Sequence, residues 1–494
     1  MNFGKYFVIF ALAVSVVRAD NQTDTVSPVE LTGLPYAIEL QSADMGSATL
    51  PTLQAYAAGT YDGMWVLMAG RTNGLHNFTN DGLVNFPPEY QNTDIWVIDP
   101  VTKQSWSRSL NDVSAGITTS VFNALSATAT ESVQQSDTLY VAGGYLYDSG
   151  ADNFTTYNTL TAVNLPGVIN WVKTGTGSLA SSVLQTSNST LQVTGGNLSL
   201  VNGKAVLTFG QDFEGPYTPN ANGTYTRQVR TFDIVNTGSS LNIANISASS
   251  TDENFRRRDM NIVPIITSPA DPSATAIVAL SGVFTPTGGA WTVPVEISND
   301  GTPTMADPLL PGTFKQAMNG YNGANLVLYS PSTGENHILI LGGISLQTYD
   351  GSEFVTDNHL PFTSQGSSII RDADGNYTQY YLGDIYPDVI DADTGNPLLF
   401  GAEAQFFLNP DVALYDGLIN FDLLTSRTLL GYVFGGIAAE RANGGPTAAS
   451  NLPFEVWFTP VAVPEPGTTA LLVIGAFAFV CLHGRRKVRK IPSA

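Results

Sequence analysis

The feature that most constrains this chain is a short apolar run that ends in glycine and keeps coming back. Its clearest copy is Leu139-Tyr-Val-Ala-Gly-Gly144, with Tyr145 next. Variants follow at Trp65-Val-Leu-Met-Ala-Gly70, Ala205-Val-Leu-Thr-Phe-Gly210, Ala276-Ile-Val-Ala-Leu-Ser-Gly282, Ile338-Leu-Ile-Leu-Gly-Gly343 and Gly431-Tyr-Val-Phe-Gly-Gly436. Runs this short, closed by glycine, read as strands that end in turns. From one copy to the next the steps are 60 to 93 residues. That exceeds the roughly 8–12 residues between the strands of a plain sandwich, so a repeat architecture is expected.

Composition agrees. The chain has 494 residues, with 47 glycines, 28 prolines and only 13% charged residues. That suits many short strands and turns better than helices. Net charge is −21, and residues 20–463 hold 14 basic against 41 acidic residues, a net of −27. Such a surface repels phosphate backbones, so nucleic acid is not an expected partner. The one cysteine, Cys481, lies in a C-terminal apolar run, which excludes a disulfide, a thiol nucleophile or a cysteine metal site in the body of the chain.

Residues 1–19 read as a signal peptide: Lys5, an apolar stretch over Tyr6–Val17, and a small residue, Ala19, for cleavage. Residues 20–50 form a polar N-terminal segment, 51–460 the repeats, and 461–494 the tail. In the first repeat the strand Ile95-Trp-Val-Ile98 leads into an Asp99-Pro100 turn, and Trp106 follows. This order resembles the kelch repeat, with Gly70, Trp96 where that family usually has Tyr, Asp99-Pro100 and Trp106. The second unit has Gly143-Gly144, Tyr157 and Trp171. Later units match less fully: Gly210 with Phe232-Asp233, Gly282 with Trp291, Gly342-Gly343 with Tyr380-Tyr381, and Gly435-Gly436 with Trp457.

The resemblance implies an all-β, kelch-like β-propeller of six four-stranded blades. A seventh is sought around Ser368–Arg371 and Tyr377–Leu382, inside the 93-residue step. A blade cannot bury both faces alone, so blades stack around an axis and the ring must be closed. The closing strands are expected from Pro35–Leu40 or Leu53–Ala58 at one end and Phe454–Thr459 at the other.

The tail changes character. Pro464-Glu465-Pro466 precedes an apolar stretch, Thr468–Cys481, and then Arg485-Arg486-Lys487. This resembles the PEP-CTERM sorting signal: a Pro-Glu-Pro motif, one transmembrane helix and a basic cluster, read by an exosortase. The resemblance implies an exported protein, anchored in the membrane by that helix or released to the cell envelope. A plain type I membrane glycoprotein of a eukaryote is the alternative, with sequons at Asn21, Asn77, Asn153, Asn188, Asn197, Asn222, Asn245 and Asn376.

Candidate chemistry is sparse. Galactose-oxidase-type enzymes share the kelch propeller, but their Tyr–Cys cross-link has no cysteine here, and His76, His337 and His359 are scattered. Arg256-Arg257-Arg258 precede the strand Ile262–Ile266, and in kelch blades an Arg commonly precedes the innermost strand and faces the channel. They are the candidate ligand-binding residues, for a carboxylate or sulfate on a glycan; the alternative is a surface triplet paired with Asp252, Glu253 and Asp259. Asp372–Asn376 and Asp391–Gly395 begin like calcium loops but lack the later ligands. No cofactor, metal or catalytic residue is expected. The expected role is a non-enzymatic envelope module that binds protein or polysaccharide, with a carbohydrate-active enzyme working in the central funnel as the alternative. Carboxylates and arginine converging on the channel are the feature that favours the enzyme.

Overall fold

The computed structural model describes residues 26–461, apart from 220, 222 and 287. The signal peptide, the Pro-Glu-Pro motif, the apolar stretch Thr468–Cys481 and the basic cluster all lie outside the described residues. Among the described residues no helix is long and apolar enough to cross a membrane.

The chain is a β-propeller. Five sheets have four strands each. The first blade runs Ala57–Tyr61, Met64–Met68, Asp94–Asp99, Gln104–Ser109 from the axis outward. The second runs Glu131–Gln135, Thr138–Ala142, Thr159–Asn164, Val183–Ser187. The third runs Asn197–Val201, Lys204–Thr208, Val229–Asn236, Leu241–Ala248, and the fourth Asn261–Ile266, Thr275–Leu280, Val295–Ser298, Pro303–Met305. The closing blade runs Ala404–Leu408, Thr428–Gly435, Phe454–Pro460, Tyr36–Ser42.

The expectation of six or seven four-stranded blades is corrected here. Between the fourth and the closing blade stands a seven-stranded sheet. Its centre is Ala324–Tyr329, Asn336–Ile344, Phe362–Arg371 and Tyr377–Asp384. Val29–Glu30 adds in parallel at the outer edge; Leu418–Asn420, also parallel, and then Leu414–Tyr415 add at the inner one. The stretch expected to hide a seventh blade is the outer hairpin of this sheet. The long step between repeats is filled by that hairpin, the 385–403 connection and the inner strand of the closing blade.

Of the two candidate closing segments, Tyr36–Ser42 is the one used. It pairs antiparallel with Phe454–Pro460 along its whole length, from Tyr36 opposite Pro460 to Ser42 opposite Phe454. The N-terminal segment is therefore part of the propeller and not a leader to it. Alternation explains the choice: Tyr36, Ile38 and Leu40 are buried while Ala37 and Glu39 are exposed.

Each seam between neighbouring sheets holds its own apolar cluster. Trp65 stacks on Phe407 at 4.4 Å between the closing and first blades. Trp171 lies between the first and second, from the helix Leu165–Thr174 that interrupts the second blade. Phe232 lies between the second and third, Phe209 between the third and fourth.

The glycine repeats have a common geometry. Where the second strand of each sheet ends, two successive residues have positive φ: Ala69-Gly70, Gly143-Gly144, Phe209-Gly210, Ser281-Gly282, Gly342-Gly343 and Gly435-Gly436. The second N–H then reaches the next sheet. Gly70 donates to the Ala127 carbonyl (2.7 Å), Gly144 to Val193 (2.8 Å), Gly210 to Arg257 (3.0 Å) and Gly436 to Leu53 (2.8 Å). The last of these ties the closing blade to the first. A Cβ on Gly143 would sit 2.0 Å from the Val193 oxygen, so only glycine permits that approach.

Candidate functional site

Just before its inner strand, each sheet places one residue in the left-handed region: Ala55 (φ 50°), Ala129 (48°), Gly195 (66°), Asp259 (55°), Asn322 (50°) and Glu403 (58°). They form a collar around the axis, joined by backbone hydrogen bonds. Ala129 donates to Ala55 (3.2 Å), Gly195 to Ala129 (3.2 Å), Asp259 to Gly195 (2.8 Å) and Glu403 to Asn322 (2.6 Å). The same six residues line two cavities, one on each side of the collar. One is a funnel of about 310 Å³. The other, about 300 Å³, is walled by polar side chains of the inner strands, among them Asn197, Asn261, Asn325 and Gln405.

The funnel wall comes from the excursions between second and third strands. They carry Phe78 and Phe86 on one loop, Tyr145, Phe213 and Tyr217 on hairpins, and Phe284 beyond Gly282. The rings pack edge to face and stacked: Phe86 on Tyr217 at 5.3 Å, Tyr145 on Phe213 at 5.6 Å, and His76 on Phe86 at 4.9 Å. Burial pushes the His76 imidazole down to about 4, so it is a neutral ring at physiological pH. Arg71 lies over Phe86 at 5.0 Å and donates to the Pro87 carbonyl (2.9 Å). At the rim Phe78 is 63% exposed and Phe284 38%.

The floor holds the ionisable groups. Arg258 Nη1 lies 2.5 Å from Asp259 Oδ2, and Arg258 Nε donates to the Tyr225 hydroxyl (3.2 Å). Burial lifts the Asp259 carboxyl, opposed by Arg258, and Asp259 in turn holds the guanidinium firmly protonated. We read this pair as charged at neutral pH. Glu403 is different. It is half-buried and lines both cavities at the collar. Burial is the main cause that pushes its carboxyl up to about 8, with the Asp259 charge adding to it; Asn322 hydrogen-bonds to it and opposes the shift, as does Arg258.

The arginine triplet therefore divides. Only Arg258 reaches the funnel. Arg257 is fully buried: it donates to the carbonyls of Asn254 (2.8 Å), Ser281 (3.2 Å) and Val293 (2.9 Å), and lies over Trp291 at 4.9 Å. Arg256 lies over Tyr225 at 4.0 Å and donates to Phe284 O (2.5 Å). Of the expected surface partners, Asp259 pairs with Arg258, while Glu253 pairs with Arg227 instead.

The histidines are less scattered than the sequence suggests, since His76 and His359 line the same funnel; His337 is buried against Phe421 at 4.6 Å. In both calcium-like loops the first carboxylate caps its own turn. Asp372 accepts from Asp374 N (3.0 Å) and Asn376 N (2.8 Å), and Asp391 from Asp393 N (3.0 Å) and Thr394 N (2.8 Å). Sequence reasoning missed Glu403 and the aromatic wall, and named Asp259 only as a surface partner of the arginine triplet. The available signal was a polar residue just before the inner strand in three of the six sheets, Asp259, Asn322 and Glu403.

One further acid faces a seam. Glu131, 2% exposed, accepts from Gly196 N (2.8 Å) through Oε1, while Oε2 has no hydrogen-bond partner. Oε2 lies beside Gly143, in a corner also walled by the carbonyls of Leu191 and Val193. The same position in three other sheets carries an amide, Asn197, Asn261 and Gln405: Asn261 accepts from Gly323 N (3.1 Å), and Gln405 donates to the Tyr56 carbonyl. Burial raises the Glu131 carboxyl well above the ordinary value. A raised folded-state value means stability that is complete below about 4.5, the ordinary value, and is lost as pH climbs toward the folded one. Glu131→Gln is expected to melt like the parent at pH 4 and several degrees higher at pH 8. Melting curves across that range check it; a parallel shift at every pH contradicts it.

Residues 462–487 match the PEP-CTERM protein-sorting motif. No curated protein matches the chain. A solved structure described as "Structure of YjhT" aligns over 83% of this chain and 99% of its own, at 10% identity and a TM-score of 0.42. The matched motif marks the chain as an exported β-propeller, associated with the cell envelope and sorted by exosortase-type machinery.

Proposed function

We propose that this exported propeller is a kelch-like binding module whose axial funnel takes a sugar unit of an envelope glycan. The observation that carries the reading is the pairing of an aromatic wall with a polar floor. Sugar rings present C–H faces that pack on aromatic rings, and hydroxyls that need donors and acceptors. Here Phe78, Phe86, Tyr217 and Phe284 surround Arg258, Asp259, Asn322 and Glu403. The long loops contribute as the wall of the funnel rather than as free tips.

The test is calorimetric binding to a panel of neutral, uronic-acid and sulfated oligosaccharides. The parent is expected to bind at least one class. Phe78→Ala with Phe284→Ala, both rim rings with exposed faces, is expected to weaken binding about tenfold, the equivalent of ~1.4 kcal/mol, at an unchanged melting temperature. Absence of binding across the panel, or an unaffected double variant, contradicts a glycan in the funnel.

A further inference from the structure

Through Glu403 the collar brings a second carboxyl to the floor of the funnel, beside Asp259. All six collar residues have positive φ, which glycine, asparagine and aspartate adopt most readily. Five positions carry Ala, Ala, Gly, Asp and Asn. The sixth carries a glutamate, whose longer side chain gains nothing from that backbone. Ala55 and Ala129 share that φ, so the backbone does not single Glu403 out; the second carboxyl it brings to the floor of the cavity does.

The surroundings of the two floor carboxyls also differ. Asp259 is ion-paired with Arg258 at 2.5 Å. Glu403 has Asn322 as its hydrogen-bonding neighbour, and no ion pair to it is recorded among the described residues. The charged and titratable groups facing it are Asp259, Arg258 and the half-buried Tyr321, whose hydroxyl is itself pushed up by desolvation. Two carboxyls at one floor, one ionised and one neutral, is the arrangement that acetal hydrolysis uses.

We propose that Glu403 is a catalytic acid and that the funnel hydrolyses a glycosidic bond of the glycan it binds. This rests on the glycan reading of the funnel. The Glu403 carboxylic acid gives its proton to the bridging oxygen, and the bond from that oxygen to the anomeric carbon breaks, leaving an alcohol. The Asp259 carboxylate stabilises the positive charge that develops on the ring. Water adds to the anomeric carbon and its proton passes to the Glu403 carboxylate, which restores the acid. One acetal and one water become one hemiacetal and one alcohol.

The probe is exopolysaccharide purified from the producing strain, with binding followed by co-sedimentation and cleavage by new reducing ends. The parent protein is expected to bind and to release reducing ends, with a rate that falls above about pH 8 as Glu403 ionises. Glu403→Gln keeps the size and hydrogen bonding of the neutral acid but has no proton to give. It is expected still to bind, and at saturating polysaccharide to cleave about 100-fold more slowly or worse. Binding by the parent without reducing ends overturns the proposal and leaves the binding funnel standing. Equal cleavage by Glu403→Gln also overturns it. Absence of binding by both proteins removes the glycan reading, and the proposal falls with it.

Discussion

A chain ending at Ala462 is expected to fold cooperatively, whereas one ending at Asn451 is expected to be recovered as aggregate or to melt without a sharp transition. The difference is the strand Phe454–Pro460. It is the third strand of the closing blade, flanked by Thr428–Gly435 on one side and Tyr36–Ser42 on the other. Deleting it strips the N-terminal strand of its only sheet partner among the described residues and opens the seam with the seven-stranded sheet. Phe454 is 2% exposed, Val456 0% and Phe458 1%. Trp457 points to the other face, where Arg427 lies over its ring at 3.8 Å, so it adds less than a buried tryptophan. Two phenylalanines and a valine are worth about 6 kcal/mol at ~25 cal/mol per Å². That is comparable to a domain's whole stability of ~5–15 kcal/mol. Circular dichroism melts and gel filtration decide the matter; two chains that melt alike leave the strand a linker and the ring closed some other way.

Arg257→Ala is expected to cost about 4 kcal/mol of stability, and Arg256→Ala about 1 kcal/mol or less. The contrast lies within one triplet. Arg257 supplies donors to three carbonyls, those of Asn254, Ser281 and Val293, inside the fourth blade, and caps Trp291. A buried carbonyl that loses its donor costs roughly 1–3 kcal/mol, and a desolvated cation–π contact adds ~1–2. Its own carbonyl also accepts from Gly210, so the position ties the third blade to the fourth. Arg256 is half-exposed and its loss opens no cavity. Urea titration of the two variants checks this. Equal midpoints contradict the buried role of Arg257 and return the triplet to the surface.

The glycine pattern shows why some repeats were easy to recognise and others were not. Ala69-Gly70, Phe209-Gly210 and Ser281-Gly282 look like degraded copies of a glycine pair. All share one backbone geometry. At those three the first residue has φ of 54° to 60°, which alanine, phenylalanine and serine can adopt, and the second has φ of 76° to 98°, where glycine is needed. Counting glycines understates the repeat; asking which position requires one recovers it. The tryptophans misled in the opposite direction. Trp171 sits on an inserted helix, where it fills a seam as a repeat tryptophan would, and Trp291 in a loop, where it is buried under Arg257. The number of regular blades was not legible either. The fifth repeat recruits Val29–Glu30 and residues 414–420, strands too short to carry a periodic signal.

By itself the sequence determined what depends on neighbours along the chain: that strands exist, where each second strand must turn, and that the two end segments are apolar on alternate residues and so seek a sheet. Residues 462–487 are legible for the same reason, since a sorting motif is read as a linear string. The site was decided by tertiary structure alone. Asp259 and Glu403 belong to different sheets and share no local pattern, and His76 and His359 come from excursions far apart in sequence. They converge because every sheet ends its collar turn at the same axis. Burial there, a property of the assembled ring, raises both carboxyls, and the Arg258 ion pair sets Asp259 apart from Glu403.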